Sequence, residues 1–185
     1  AVRDAGLELT RENPERVGVV MGSGLIPIDL PEVATVLAKA CDADGKVHPD
    51  RLGRQGSHAL FPLWLLKYLP NMTAAHISLI HNAQGPNNTV VTACAAGTQA
   101  VGEGFRLIAR DDADLVLAGG ADSRLDPLLL LAYSALGAIS PAHRPPEEVS
   151  RPFDGQRDGF VLGEGAGVLL LEEAERAKRR GAVIY

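Results

Sequence analysis

Cysteine is scarce in this 185-residue chain: Cys41 and Cys94 are the whole complement, and neither belongs to a Cys-x-x-Cys pair. A disulfide framework and a cysteine-built zinc site are therefore not expected, and a reducing cytoplasm is the expected setting. Positive charge is also short. Lys and Arg number 18 against 23 Asp and Glu, a formal charge of −5, so the dense basic footprint of a nucleic-acid binder is missing. No apolar run is long: Leu128–Ala132 and Val168–Leu171 fall far below the roughly 20 residues that a membrane-crossing helix needs. Ala1-Val2-Arg3-Asp4 opens an amphipathic pattern instead of a basic flank before an apolar run, so no signal peptide is expected there. Repeats and low-complexity segments are absent as well.

What remains has ordinary globular proportions. Hydrophobic residues make up 46% and charged residues 22%, which argues against disorder, and the length suits one domain. Ala1–Leu7 reads as the last turns of a helix, and Ala182–Tyr185 as the opening of a strand, so part of a larger fold is expected.

Strand and helix patterns alternate along the chain. Val17–Met21 is a short apolar run that ends in Gly22-Ser23-Gly24, the mark of a buried strand feeding a turn. Pro31–Ala40 opens with proline and places Val33, Val36, Leu37 and Ala40 on one helical face. Cys41–Gln55 has no periodicity and reads as a surface loop. Leu60–Tyr68 and Met72–Ile80 are apolar, the second with helical spacing. Thr89–Thr92 reads as a strand, Ala95–Arg110 as a helix with Val101, Phe105 and Ile108 aligned, and Asp114–Ala118 as a strand ending at Gly119-Gly120. Leu128–Ile139 is helical or mixed, Pro141–Arg151 a loop, Val168–Leu171 a strand, and Glu172–Arg180 a charged helix. Continuous apolar strands between helices predict an α/β layered fold, with a largely parallel sheet covered by helices.

The chemistry concentrates in Thr92-Ala93-Cys94-Ala95-Ala96-Gly97-Thr98. A strand ends, a cysteine sits in the turn, and a helix begins at once. Such a turn lifts the sulfur toward a cleft beyond the strand end, as a nucleophile elbow presents a serine. The free N–H groups of the first helical turn favour a thiolate there, and they suit the oxyanion of an attacked thioester. Small residues through Gly102 and Gly104 allow close packing of this helix. A buried structural cysteine fits the local pattern equally well.

The Thr-Ala-Cys-Ala-Ala-Gly-Thr run resembles the active-site motif of elongating type II β-ketoacyl-[acyl carrier protein] synthases of the thiolase superfamily. Asp112-Ala113-Asp114 with Leu117-Ala118-Gly119-Gly120-Ala121-Asp122 resembles the strand motif that follows the catalytic helix. Ser150-Arg151-Pro152-Phe153-Asp154 and Arg157–Gly167 resemble that family's most recognisable loop. Leu171–Glu175 and Ala177–Ala182 continue in register, as do Asp4–Leu7 and Val17–Gly24, while 38–59 is the least similar part. The resemblance implies a thiolase-like fold, of which residues 1–185 would be part of the N-terminal half, the C-terminal half being absent.

Carried over residue by residue, the resemblance implies that Cys94 is the nucleophile that takes the acyl chain as a thioester. Its own N–H would be half of the oxyanion hole. Leu25 falls where the family has an aliphatic residue at the acyl pocket, although ordinary core packing is the other reading. Phe153 and Phe160 are expected to be structural, and Asp154, Arg157, Asp158 and Glu164 to hold their loop. Malonyl decarboxylation in the family depends on two histidines and a lysine from the second half, and His48, His58, His76, His81 and His143 match none of those positions.

The implied function is acyl transfer to Cys94 followed by decarboxylative Claisen condensation with malonyl-acyl carrier protein in fatty acid biosynthesis. No bound cofactor is implied, because decarboxylation itself generates the carbanion. The implied partners are an acyl carrier protein and a second copy of the chain, with Thr89–Thr92 near the twofold axis. Arg51 and Arg54 are the candidates for docking the acidic carrier. Leu136-Gly137-Ala138 stands where an arginine is common. Two alternatives stay open: a ketosynthase of polyketide assembly, and a non-catalytic chain that binds a carrier or a partner subunit. Gly163–Gly167 is not a phosphate loop, since it leads into a strand and does not open a helix.

Overall fold

A computed structural model describes all residues, 1–185. In chain order its elements are β1 (Val17–Gly22), α1 (Leu30–Ala40), α2 (Pro49–Arg51), α3 (Met72–His81), β2 (Asn87–Val90), α4 (Ala96–Ala109), β3 (Leu115–Ser123), α5 (Pro127–Ala135), α6 (Pro146–Val149), β4 (Glu164–Glu172) and α7 (Ala174–Arg179). The chain forms two compact units. The first comprises Ala1–Ile26, Leu69–Asp122 and Gly165–Tyr185, and the second Pro27–Tyr68 and Ser123–Glu164.

The first unit is built on a four-stranded sheet in the order β2-β1-β3-β4. β1 runs parallel to both of its neighbours, with Val19 opposite Asn87 and Leu117. Every residue of β1 is buried, because side chains alternate between two covered faces. Val17, Val19 and Met21 join Leu9, Ala74 and Leu117 on one face, while Val20 joins Ala100, Leu107, Val116 and Ala118 on the other. Arg16 ties the start of β1 to the start of β3: its Nε donates to Asp114 Oδ1 at 3.1 Å and its Nη1 to Asp111 O at 2.6 Å. The hydrogen bonds that Arg16 donates to Asp114, then to Asp111, raise its pKa above the usual arginine value.

Several expectations shift. β2 starts at Asn87, two residues early, because the Asn87 amide donates to Ser78 Oγ and Ala74 O on α3 and holds a polar strand start. β3 runs on through Gly119-Gly120 to Ser123. Those glycines are a site of close approach, not a turn: a Cβ on Gly119 would lie 2.0 Å from Gly167 O. β4 likewise begins at Glu164, so the glycine-rich run lies inside the strand. The buried face of α4 is Ala96, Ala100, Gly104 and Leu107, while Phe105 is exposed. Helix and sheet pack so closely that a Cβ on Gly104 would meet Ala118 Cβ at 3.0 Å, whereas Gly102 faces open space. Ala1–Leu7 makes one turn, with Ala5 N–H donating to Ala1 O, and Ala182–Tyr185 forms no strand.

In the second unit α1 forms as expected. The stretch expected to be loop at Cys41–Gln55 is folded into a bridged turn, α2 and a π-helical turn at Leu52–Gly56. Asp42 organises that turn by accepting from the N–H groups of Asp44 and Lys46 and from His48 Nε2 at 2.7 Å. Glu32 accepts from Trp64 Nε1 and the Tyr68 hydroxyl, each at 2.6 Å, and pairs with Lys67. The loop residues act as expected: Asp158 accepts from Ser140 Oγ and Arg144, Asp154 Oδ1 from Gln156 N–H, and Glu164 from Ser123 Oγ. Phe160 packs edge-on against Tyr133. Phe153 departs from its structural reading: it is 98% exposed, with φ of 66°.

Candidate active site

The first unit carries the cysteine on a sharp reversal. Thr92, two residues past β2, takes φ −131° and ψ 44°. Ala93 then takes φ of +49°, a left-handed conformation that costs a residue bearing a Cβ about 1–2 kcal/mol. A 3-10 turn over Ala93–Ala95 follows and passes directly into α4. Ala95 N–H donates to Thr92 O at 3.2 Å and Ala96 N–H to Ala93 O. The Cys94 N–H makes no hydrogen bond within the chain. Cys94 itself is exposed.

Around it lies a pocket of about 270 Å³, lined among others by Gly22, Ser23, Gly97, Gly120 and Gly167. Its floor is backbone. A Cβ on Gly22 would come within 2.4 Å of Ala96 C and Gly97 N, and one on Gly120 within 3.3 Å of Gly97 Cα. At Gly22 only glycine lets the N-terminus of α4 settle onto the end of β1 this closely, whereas a Cβ at Gly120 would ask for a shift of a few tenths of an ångström. Ser23 is the one buried polar residue, 5% exposed, and its N–H donates to Val90 O at 3.0 Å. The positive end of the α4 dipole, together with the free amide, favours negative charge at this spot. An apolar groove of about 870 Å³ in the same unit, between α4 and β4, is larger but holds neither cysteine nor histidine.

Of the other residues singled out from sequence, Leu25 follows closely on Ser23 but does not line the pocket, and it is 65% exposed. None of the five histidines lines the pocket; His48 is engaged with Asp42, and His76 and His81 lie on α3. Arg51 and Arg54 are both exposed in the second unit, and Arg51 Nη1 donates to Cys41 O at 3.3 Å. No cluster of three or more His, Cys, Asp or Glu is arranged to hold a metal ion. No helix is long and apolar enough to cross a membrane. The glycine floor and the left-handed Ala93 were missed from sequence. Gly22 and Gly120 at two strand ends beside a helix start were the available signal for the floor; alanine gives none for a positive φ.

The profile of the family described as Beta-ketoacyl synthase, N-terminal domain, matches residues 1–177. The chain belongs to the beta-ketoacyl synthase family. It is 40% identical, over all 185 residues, to the 3-oxoacyl-[acyl-carrier-protein] synthase 2 of Vibrio harveyi, covering 41% of that protein. It is 43% identical to the mitochondrial 3-oxoacyl-[acyl-carrier-protein] synthase of Arabidopsis thaliana, covering all of this chain and 38% of that one. A putative polyketide beta-ketoacyl synthase 1 of Streptomyces halstedii is 40% identical, with 100% and 42% covered. The chain thus spans about two-fifths of the length of these synthases.

Among solved structures, a type II polyketide ketosynthase in complex with its acyl carrier protein superposes with a TM-score of 0.77 at 29% identity, over 99% of this chain and 43% of that one. A beta-ketoacyl synthase from Burkholderia phymatum STM815 gives 0.72 at 31% identity, over 98% and 43%. The family fold is the thiolase-like layered fold expected from the sequence.

Proposed function

We propose that residues 1–185 are the cysteine-bearing, N-terminal part of an elongating β-ketoacyl-[acyl carrier protein] synthase, and that Cys94 is its nucleophile. The observation that carries this is the exposed Cys94, whose own N–H is unbonded at the N-terminus of α4. The thiolate attacks the carbonyl carbon of an acyl thioester, and the carbonyl electron pair moves onto oxygen. The Cys94 N–H donates to that oxyanion. Collapse expels the carrier's thiolate, which takes up a proton, and leaves an acyl-Cys94 thioester. Decarboxylation of a malonyl thioester then supplies a carbanion that attacks the acyl-Cys94 carbonyl; a carbon–carbon bond forms, and Cys94 leaves as thiolate. This sequence needs no bound cofactor. None of the five histidines among residues 1–185 matches the positions of the histidines on which the family's decarboxylation depends.

From the family resemblance, Leu25, exposed near Ser23 though outside the lining of the Cys94 pocket, is read as a wall of the acyl pocket, and exposed Arg51 and Arg54 as contacts for an acidic carrier protein. A homodimer through the edge strand β2 is supported by Val91, 53% exposed just beyond that strand. Polyketide assembly is the second reading, supported by the Streptomyces halstedii relative and the polyketide ketosynthase superposition. The test is intact-mass analysis of the full-length gene product incubated with acyl-carrier protein. The wild type is expected to gain the mass of one acyl group, and Cys94→Ala none. Acyl uptake by the variant at the wild-type level overturns the assignment.

A further inference from the structure

The reversal at Cys94 is bridged by a hydrogen bond between side chains that flank it. The Thr92 hydroxyl donates to Gln99 Oε1 at 2.7 Å. Thr92 is the last residue before the left-handed Ala93, and Gln99 sits in the first turn of α4. The bond therefore spans the Thr92–Gln99 segment, whose middle contains the strained residue, the cysteine and the free amide. Beside it run two backbone bonds, Ala95 N–H to Thr92 O and Ala96 N–H to Ala93 O, and the outer side is open: Thr92, Ala93, Cys94, Ala95 and Gln99 are all exposed. The inner side rests closely on backbone at Gly22 and Gly120.

We infer that Thr92 and Gln99 are positioning residues, a clamp that holds the Ala93 turn open and so fixes where the Cys94 sulfur and N–H lie. The inference rests on the reading of Cys94 as the nucleophile. Left-handed alanine is disfavoured, so an untied turn relaxes toward extended or right-handed backbone. Either change rotates the Cys94 peptide plane and redirects its N–H, which moves the oxyanion donor and the sulfur together. A nucleophile displaced by about an ångström loses up to about a hundredfold in rate. Neither side chain needs to touch the substrate.

The experiment measures acyl transfer from acyl-carrier protein to the full-length gene product, alongside its melting temperature. Thr92→Val keeps the shape and removes the hydroxyl. It is expected to lower kcat for acylation by about ten- to a hundredfold, with KM and melting temperature close to wild type. Gln99→Leu is expected to match it, the double variant to be no slower than either single one, and Thr92→Ser to recover most of the rate. A Thr92→Val enzyme that acylates at the wild-type rate overturns the clamp, as does a double variant whose losses multiply. If Cys94→Ala still takes up the acyl group, the nucleophile assignment itself has failed, a result separate from either of these.

Discussion

Gly22 at the end of β1 and Gly97 in the first turn of α4 meet backbone to backbone: a Cβ built on Gly22 lies 2.4 Å from Gly97 N and from Ala96 C. The relationship is one-sided. A Cβ on Gly97 finds nothing closer than Gly120 Cα, at 3.9 Å. One glycine is required for contact, and the other merely occupies a helix.

The asymmetry yields opposite outcomes for the same substitution. Gly22→Ala must push the N-terminus of α4 off the strand ends, an overpacking cost of about 1–3 kcal/mol or more, and it displaces Cys94 with the helix. Gly97→Ala keeps ordinary contacts and gains up to about 1 kcal/mol of helix propensity. Thermal unfolding of the full-length variants is expected to show a lowered midpoint for Gly22→Ala and an unchanged or raised one for Gly97→Ala. Equal midpoints would contradict the packing described here.

Much of this unit was legible in the sequence because its signals are local. The apolar run at Val17–Met21 and the helical spacing of Met72–Ile80 fix β1 and α3 without reference to the rest of the fold. The Thr92–Gly97 pattern likewise places a cysteine between strand and helix. What escaped depends on distant neighbours. Gly119 reads as a turn residue in isolation, and only the approach of Gly167 makes it a strand residue. Val101, Phe105 and Ile108 form the more apolar stripe of α4, yet the helix turns Ala100 and Gly104 inward because the sheet lies too near for larger side chains. Asp42–His48 looked like loop because its order comes from one carboxylate accepting several donors, a pattern with no periodicity to read.

Acid is expected to loosen the second unit through its carboxylates. The Lys67 hydrogen bond, followed by that of Tyr68, holds Glu32 below the usual carboxylate range; His48 does the same for Asp42, and Ser140 for Asp158. A carboxyl group whose pKa is depressed by folding binds fewer protons in the folded state than in the unfolded one. Its contribution to stability is present above the unfolded value of about 4 and is lost as pH falls through the folded value. Trp64, the one tryptophan, reports on this directly, since its indole donates to Glu32. Its fluorescence is expected to hold steady from neutral pH down to the carboxylate range and then change, with Glu32→Gln losing that step. An identical titration in the variant would remove Glu32 as its cause.

The two cysteines are expected to differ in reactivity. Cys94 is exposed beside a free amide at a helix N-terminus, while Cys41 is half-buried in a bridged turn. Limited treatment with iodoacetamide, followed by peptide mass mapping, should find Cys94 modified well before Cys41. Equal modification of both thiols would mean that neither exposure nor the α4 terminus sets Cys94 apart.

Leu25 offers the cleanest test of a specificity role, because its side chain is 65% exposed and its replacement costs little folding stability. If it forms a wall of the acyl pocket, its bulk sets how long a chain is accommodated. One methylene in an apolar pocket is worth about 1–3 kcal/mol, roughly a ten- to two-hundredfold preference. Leu25→Phe is then expected to shift the chains accepted at Cys94 toward shorter ones, and Leu25→Ala toward longer ones, with short-chain acylation unchanged in both. The readout is the mass distribution of acyl-Cys94 after competition among carrier thioesters of graded length. A distribution that is the same in wild type, Leu25→Phe and Leu25→Ala would place the wall elsewhere, because substitutions of opposite size at a pocket wall cannot leave the preferred chain length unmoved.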